Sequence, residues 1–120
     1  MKIIKKIQKI KNLKNKNVLN DLIAEIEEFS YENLPTEDSY VLIVDGKIIP
    51  CYISIKGNEI LSLWVHPVLR GKGYGKFLVN SFPVHYVTSL PSALPFWHSL
   101  GFKQISPYKL ILKNKINNLK

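Results

Sequence analysis

The stretch that decides the fold is "VHPVLRGKGYGKFLV", residues 65–79. An apolar segment ends at Val65, and glycines follow at positions 71, 73 and 75 among the cations Arg70, Lys72 and Lys76. Glycine lets a backbone turn sharply and expose its N–H groups, and the first N–H groups of a helix have no partner within the helix. A strand, a glycine loop and a helix with cations alongside therefore predict an anion-binding loop.

The composition around this loop predicts one globular domain. The chain has 120 residues, of which 46% are hydrophobic and 11% aromatic, and this is enough apolar material for a core. No apolar run approaches the roughly 18 residues of a membrane span, and no signal-peptide pattern is present. Cys51 is the single cysteine, so no internal disulfide can form. We expect a single domain over residues 1–120, cytoplasmic, monomeric or homodimeric, and without a metal site.

Positive charge is concentrated in two terminal segments, residues 1–17 and 113–120. They hold seven and three lysines respectively and no acidic residue. Such basic tails could bind nucleic acid or an acidic partner. They lack the arginine and aromatic residues of typical nucleic-acid-binding patches, and their Lys, Asn and Ile content is also what a coding bias would give. The sequence therefore favours solvated tails over nucleic-acid binding.

The hydrophobic periodicity predicts helices before residue 32. Apolar residues recur at helical spacing in two sets, Ile3, Ile7, Ile10 and Leu13, then Val18, Leu22, Ile26 and Phe29. The opening "MKIIKKI" also fits a first strand, and periodicity alone does not decide between the two.

Residues 40–65 predict a three-stranded antiparallel meander. The strands are "YVLIV", "KIIPCYISI" and "EILSLWV", and the turns are "DG" at 45–46 and "KGN" at 56–58. Pro50 cannot donate a hydrogen bond, so the middle strand should carry a bulge or an unpaired position there. After the loop come a helix "YGKFLVNSF", a strand "VHYVTSL", a short helix in "SALPFWHSLGF" that ends at Gly101, and a last strand "YKLILK". The predicted class is α+β.

Two motifs carry a family resemblance. Arg70, Gly73 and Gly75 fit Arg/Gln-x-x-Gly-x-Gly/Ala, which resembles the acetyl-CoA-binding signature of the GNAT superfamily of N-acetyltransferases. The stretch "ALPFWHSLGF", residues 93–102, is similar to the later signature Ala-x-x-Phe-Tyr-x-x-Leu-Gly-Phe of the same superfamily. The resemblance covers about residues 40–112. It implies a mixed, mostly antiparallel sheet with helices on both faces and a parallel strand pair that splays apart for acetyl-CoA.

The resemblance implies that acetyl-CoA is the cosubstrate and that its acetyl group passes directly to a primary amine. The pyrophosphate would rest on the N–H groups of the loop, and the pantetheine arm would pair with the preceding strand. The expected cofactor-binding residues are Leu63, Trp64, Val65, Arg70, Gly71, Lys72, Gly73, Tyr74, Gly75, Lys76 and Trp97. A backbone N–H near Val65 is the expected oxyanion donor. The acceptor could be a small molecule, a protein or a tRNA.

The catalytic residues are less well marked. An attacking amine must be neutral, so a nearby base helps, and Glu59 stands six residues before Val65, where histone-acetylating members of the superfamily carry the base. Glu59 could equally be a solvated residue at a turn. Trp97 stands where many members have a tyrosine that protonates the CoA thiolate, and an indole cannot supply a proton. Tyr108 and His98 are the candidate replacements, and a CoA-binding or interaction module without turnover is the alternative function.

Overall fold

The computed structural model describes residues 3–27, 34–106 and 111–114. Within these residues the strands are β1 (Lys5–Lys9), β2 (Tyr40–Val44), β3 (Ile48–Lys56), β4 (Glu59–Val65), β5 (Tyr86–Thr88), β6 (Phe102–Gln104) and β7 (Ile111–Asn114). The α-helices are α1 (Val18–Glu27), α2 (Tyr74–Asn80) and α3 (Leu94–Ser99). The strands form one sheet in the order β1-β2-β3-β4-β5-β7-β6, in which β4 and β5 are parallel and the other neighbours antiparallel. The predicted α+β class with a mixed, mostly antiparallel sheet is confirmed.

The meander forms where the sequence predicts it. Asp45 and Gly46 turn the chain from β2 to β3 with φ of 54° and 70°, the left-handed values that a tight hairpin turn requires. Gly57, with φ of 63°, does the same between β3 and β4. The register between β2 and β3 shifts between Leu42, opposite Cys51, and Val44, opposite Ile48. The irregularity predicted around Pro50 is therefore confirmed.

The helical prediction for the first apolar set is wrong, and the alternative of a first strand is confirmed. β1 pairs with β2 from Lys5 opposite Val44 to Lys9 opposite Tyr40, and a 3₁₀ turn follows at Ile10–Asn12. Long-range hydrogen bonds to the open edge of β2 favour the strand, and local periodicity does not contain that information. The lysines of β1 thus lie on an edge strand of the sheet.

The second apolar set forms α1 as predicted, with Leu22 and Ile26 buried, and Phe29 lies outside the described residues. Alternation along β3 shows that the sheet is covered on both faces. Cys51 and Ile53 belong to one core cluster with residues of α2 and α3, whereas Tyr52 belongs to a second cluster with residues of α1. Cys51 is fully buried, and desolvation raises the pKa of its thiol to about 12, so it is a neutral core residue.

The chain after α3 contains a strand that the sequence did not indicate. Gly101 has φ of 94° and lets the chain reverse, and β6 follows at once and pairs with β7 at the sheet edge. Phe102 anchors β6 in the core. No helix in the described part of the chain has the length and apolarity to cross a membrane.

Candidate functional site

The site begins where two parallel strands separate. β4 and β5 pair only at Glu59 with Tyr86 and at Ile60 with Val87. β5 ends at Thr88, whereas β4 continues to Val65. Beyond Ile60, therefore, β4 has no strand partner on its β5 side among the described residues. An unpaired strand edge presents N–H and C=O groups with which an extended ligand can pair.

A cleft with a volume of about 540 Å³ opens along this free edge. Its walls come from the end of β4, the glycine loop, the start of α2, and α3 with the turn before it. The lining residues are Leu63, Trp64, Val65, Leu69, Arg70, Gly71, Gly73, Tyr74, Gly75, Lys76, Leu90, Ser92, Ala93, Phe96 and Trp97. Every predicted cofactor-binding residue except Lys72 lies in this cleft. The remaining lining residues are not predicted as contacts from the sequence, although Ala93 and Phe96 stand inside the second motif.

The loop between β4 and α2 has two glycines in the left-handed region, Gly71 with φ of 83° and Gly73 with φ of 84°. A Cβ built on either would meet nothing within 4 Å, so these glycines are required for backbone conformation and not for close packing. Arg70 holds the loop to the strand, because its Nε donates a hydrogen bond to the Val65 carbonyl over 3.0 Å. The loop therefore faces the cleft with Arg70 and Lys76 beside it.

Gly75 serves a different purpose, which is close packing. A Cβ at this position would lie 3.1 Å from Val65 Cγ2 and 3.4 Å from Phe96 Cζ. The first distance is tighter than most real Cβ contacts and the second is at the short end of ordinary van der Waals contact, so a Cβ here would require Val65 to give way by a few tenths of an ångström. The absence of a side chain keeps the start of α2 against the end of β4.

A bulge in β4 decides which way Glu59 faces. Ser62 lies opposite Ser54, but Ile60 lies opposite Ile55, so Leu61 is an extra residue in β4. Residues directly opposite one another in an antiparallel pair share a face, which puts Ser62 with Ser54 and Glu59 with Lys56. Ser54 and Lys56 are on the same face as Tyr52, the face that α1 covers. Glu59, Ser62 and Trp64 therefore all face the α1 side, although Glu59 does not line the cleft.

This face of β4 holds two buried polar atoms that have no hydrogen-bond partner in the described part of the chain, Ser62 Oγ and Trp64 Nε1. The next residue on this face is His66, and both nitrogens of its ring have polar partners. Its Nδ1 accepts a hydrogen bond from the Val68 N–H over 3.2 Å, so the proton is assigned to Nε2, which lies 3.0 Å from Glu25 Oε2 on α1. His66 thus fixes the start of the glycine loop to α1. No local sequence pattern indicates the Glu25 partner.

Of the residues considered for the role of the acid, the structure describes Trp97 and His98. Trp97 is 4% exposed and packs edge-to-face on Phe96 and Phe102, with ring centroids 4.9 and 5.2 Å away. His98 is exposed, its Nδ1 lies 3.1 Å from the Phe102 carbonyl oxygen, and the structure does not bring it to the cleft. Tyr108 lies outside the described residues. In the described lining of the cleft, the phenol belongs to Tyr74.

In the described ranges no group of three or more His, Cys, Asp or Glu side chains is placed to hold a metal ion. The described residues themselves bring several side-chain and backbone groups to this site. These comprise the free edge of β4, the loop N–H groups with two cations, and a carboxylate at the start of β4 on the α1 face.

Solved structures with the same fold include N-acetyltransferases. The protein superposes on N-acetylglutamate synthase from Neisseria gonorrhoeae, complexed with coenzyme A and N-acetyl-glutamate, with a TM-score of 0.67 and 17% identity, over 92% of this chain and 35% of that one. An acetyltransferase of the GNAT family from Staphylococcus aureus gives 0.65 and 16%, over 92% and 98% of the chains. The ribosomal-protein-S18-alanine N-acetyltransferase from Escherichia coli gives 0.58 and 15%, over 92% and 93%.

The chain thus spans about a third of the length of the Neisseria synthase and nearly the full length of the other two proteins. At these identities the likeness shows a common fold. A search of curated protein sequences gives no significant match.

The sequence itself supplies the family. The family model described as an acetyltransferase (GNAT) domain matches residues 35–104, which is more than half of the chain and includes the glycine loop and both motifs. The chain therefore belongs to the GNAT acetyltransferase domain family, whose cosubstrate is acetyl-CoA.

Proposed function

We propose that this protein transfers the acetyl group of acetyl-CoA directly to a primary amine. The observation that carries the proposal is the cleft at the separation of β4 and β5, where an unpaired strand edge meets a glycine loop. The unpaired strand edge suits an extended amide-containing ligand, and the glycine loop suits a phosphate group. Acetyl-CoA has both parts in one molecule.

The cofactor-binding roles follow from this arrangement. The pantetheine arm lies along residues 63–65 and pairs with their free backbone groups, as an added strand would. The pyrophosphate is held by the N–H groups of residues 70–76, and Arg70 and Lys76 add positive charge beside it. A backbone N–H near Val65 stabilises the oxyanion of the tetrahedral intermediate.

The chemical step is the attack of the neutral amine nitrogen on the thioester carbonyl carbon. A C–N bond forms, the C–S bond breaks, and CoA leaves with the bonding electron pair on sulfur. Glu59 takes the proton that the amine nitrogen loses. Its half-buried position and its place in β4, six residues before Val65, support this role. CoA thiolate is a tolerable leaving group, so the step proceeds without Trp97 as an acid.

The acceptor class is best approached through amines of different size. The similar structures include an enzyme that makes N-acetyl-glutamate and one that acetylates an alanine of a ribosomal protein. Free amino acids and peptide N-termini are therefore the first acceptors to test, followed by polyamines and tRNA. A cytoplasmic location and a monomeric or homodimeric state stay predictions.

Two measurements test the proposal. Acetyl-CoA at 100 times its Kd should stabilise the native protein by about 2.7 kcal/mol and raise the melting temperature accordingly. Radiolabelled acetyl groups should appear on at least one amine of a panel containing glutamate, alaninamide, an alanine-led peptide and spermidine. No shift with millimolar acetyl-CoA would overturn the assignment of the cleft.

A second candidate function is acetyl-CoA binding without turnover. The observation that favours it is the burial of Trp97 in an aromatic cluster, at the position where many family members carry a phenol. Stabilisation by acetyl-CoA without acetyl transfer to any amine of the panel would support this function over the first.

A further inference from the structure

Ser62 carries a hydroxyl group that the fold leaves without a partner. Its Oγ is shielded from solvent and makes no hydrogen bond in the described structure. A buried polar group left unpaired costs about 1–3 kcal/mol, so proteins retain few of them and those few call for an explanation. Trp64, two residues further along β4 and on the same face, has an indole N–H in the same condition.

The serine directly opposite shows that the surroundings can satisfy a hydroxyl. Ser54 on β3 has its Oγ 2.6 Å from Ser39 Oγ, and Ser39 Oγ also accepts the Thr36 N–H over 2.9 Å. The hydroxyls of Ser39, Ser54 and Ser62 thus form a row across the sheet. The member of the row nearest the cleft is the one with its hydrogen-bonding capacity unused.

Ser62, whose hydroxyl group is unpaired in the described residues, lies close to the proposed site of the reaction. Pairing between β4 and β5 stops at Ile60, and the cleft lining on β4 starts at Leu63. Ser62 lies between them, and the bulge at Leu61 puts it on the same face as Glu59. The residue as a whole is partly exposed while its Oγ is shielded, so rotation about its Cα–Cβ bond is the movement that would present the hydroxyl.

We propose that Ser62 is an acceptor-binding residue and that it selects primary amines. This inference rests on the proposed acetyl transfer. Ser62 Oγ accepts a hydrogen bond from one N–H of the attacking amine, while the other N–H faces Glu59. The nitrogen lone pair then points at the thioester carbon.

In the reaction the lone pair forms the C–N bond, the C–S electron pair leaves with CoA, and Glu59 takes one proton. Ser62 keeps its own proton. A secondary amine has a single N–H and cannot satisfy both residues, so it should react more slowly.

The experiment compares Ser62→Ala, Ser62→Thr and Ser54→Ala in the full chain. The probes are acetyl-CoA with alaninamide and with N-methylalaninamide, or with whichever panel amine reacts fastest and its N-methyl derivative. Ser62→Ala should lower kcat/KM for the primary amine about tenfold, the effect of one lost hydrogen bond, and leave the secondary amine and the acetyl-CoA Kd unchanged. Ser62→Thr should restore the preference for the primary amine.

Melting temperatures supply an independent measurement. Ser62→Ala removes an unpaired hydroxyl and should melt at the same temperature as the wild type or higher, whereas Ser54→Ala breaks a 2.6 Å contact and should melt lower. A lower melting temperature for Ser62→Ala, or an equal effect on both amines, overturns the inference. A wild-type protein that fails to bind acetyl-CoA, or to acetylate any amine, overturns the proposed function instead.

Discussion

At its first two residues β4 has strand neighbours on both sides, β3 and β5, whereas at its last three residues its strand neighbour among the described residues is β3 alone. Both ends are flanked by a left-handed glycine, Gly57 before Glu59 and Gly73 beyond Val65. A Cβ on either glycine would meet no atom within 4 Å. The two ends thus have similar backbone conformations at their glycines. They differ in their neighbours, since β5 lies beside one end and the cleft beside the other.

This comparison shows that backbone conformation alone does not locate a function. Gly57 reverses the chain in a hairpin, and Gly73 places N–H groups at the mouth of a cleft. The end of β4 that pairs with both neighbours, which we call the closed end, carries the carboxylate of Glu59. The end that pairs with β3 and lines the cleft, which we call the open end, leaves backbone groups free for a ligand. Four predictions test whether chemistry belongs to the closed end and binding to the open end.

The largest expected effect is on chemistry at the closed end. Glu59→Gln should lower kcat by about 10²- to 10⁴-fold, the range for loss of a general base, and leave acetyl-CoA affinity unchanged. The loss should shrink at high pH, where more of the amine is already neutral. Steady-state kinetics from pH 6 to 10 measure it, and Lys56→Gln, opposite on the same face, is the control. An unchanged pH profile would assign Glu59 a structural role.

The next effect is on binding at the open end. Gly73→Val and Gly57→Val impose the same left-handed strain on a β-branched residue, so both should lower the melting temperature. Only Gly73→Val should also weaken acetyl-CoA binding, by about 10- to 100-fold, because phosphate hydrogen bonds of about 1.5–3 kcal/mol are lost. Calorimetric titration distinguishes the two variants. Equal loss of affinity would show that strain, and not position, controls binding.

A smaller effect concerns the packing that holds the open end together. Gly75→Val should destabilise the fold by about 1–3 kcal/mol, because its side chain would collide with Val65 and Phe96. Urea unfolding gives the value. Gly46→Val, in the first hairpin, is the comparison for a glycine with open space around it. Full stability in Gly75→Val would mean that α2 can move away without cost.

The smallest expected effect is on the pH dependence of folding stability. It comes from Cys51, which pairs with Val65 beside the open end. Burial raises the Cys51 pKa from 9.0 to about 12, so the unfolded chain ionises first. The effect of Cys51 on the free energy of unfolding is absent below pH 9. Above pH 9 the unfolded state is favoured by loss of the thiol proton, so stability falls by up to about 1.4 kcal/mol per pH unit as pH rises toward 12. Measuring the free energy of unfolding of the wild type and of Cys51→Ala at pH 8 and pH 10 isolates the effect of the thiol, because the other titrating groups are common to both proteins. Parallel pH dependence in the two proteins would contradict it.

Local chemistry was the predictable part of this fold. The sequence located β2 and β4 to the residue, both hairpin turns, the irregularity at Pro50 and the loop whose residues line the cleft. Each depends on side chains within a few positions of one another. Glycine and proline act through their own backbone, and this is why they are readable without a structure.

Long-range pairing was the unpredictable part. β1 is a strand because β2 offers it an edge, and Glu25 meets His66 only because α1 packs over β4. Neither contact leaves a local pattern. The bulge at Leu61 leaves none either, because Leu63, Trp64 and Val65 are also adjacent apolar residues and pair in regular register.

The extra residue at Leu61 also has a consequence for comparing this chain with its relatives. Because Leu61 is an extra residue, simple alternation counted back from the glycine loop would put Glu59 on the wrong face of β4. Its side chain is placed on the α1 face only when the bulge is included. In a relative whose β4 lacks that residue, the carboxylate equivalent to Glu59 would stand one position nearer the loop. An alignment with such a relative therefore needs a one-residue gap inside the strand, where gaps are ordinarily penalised most, or it will place the residue equivalent to Glu59 in the wrong column.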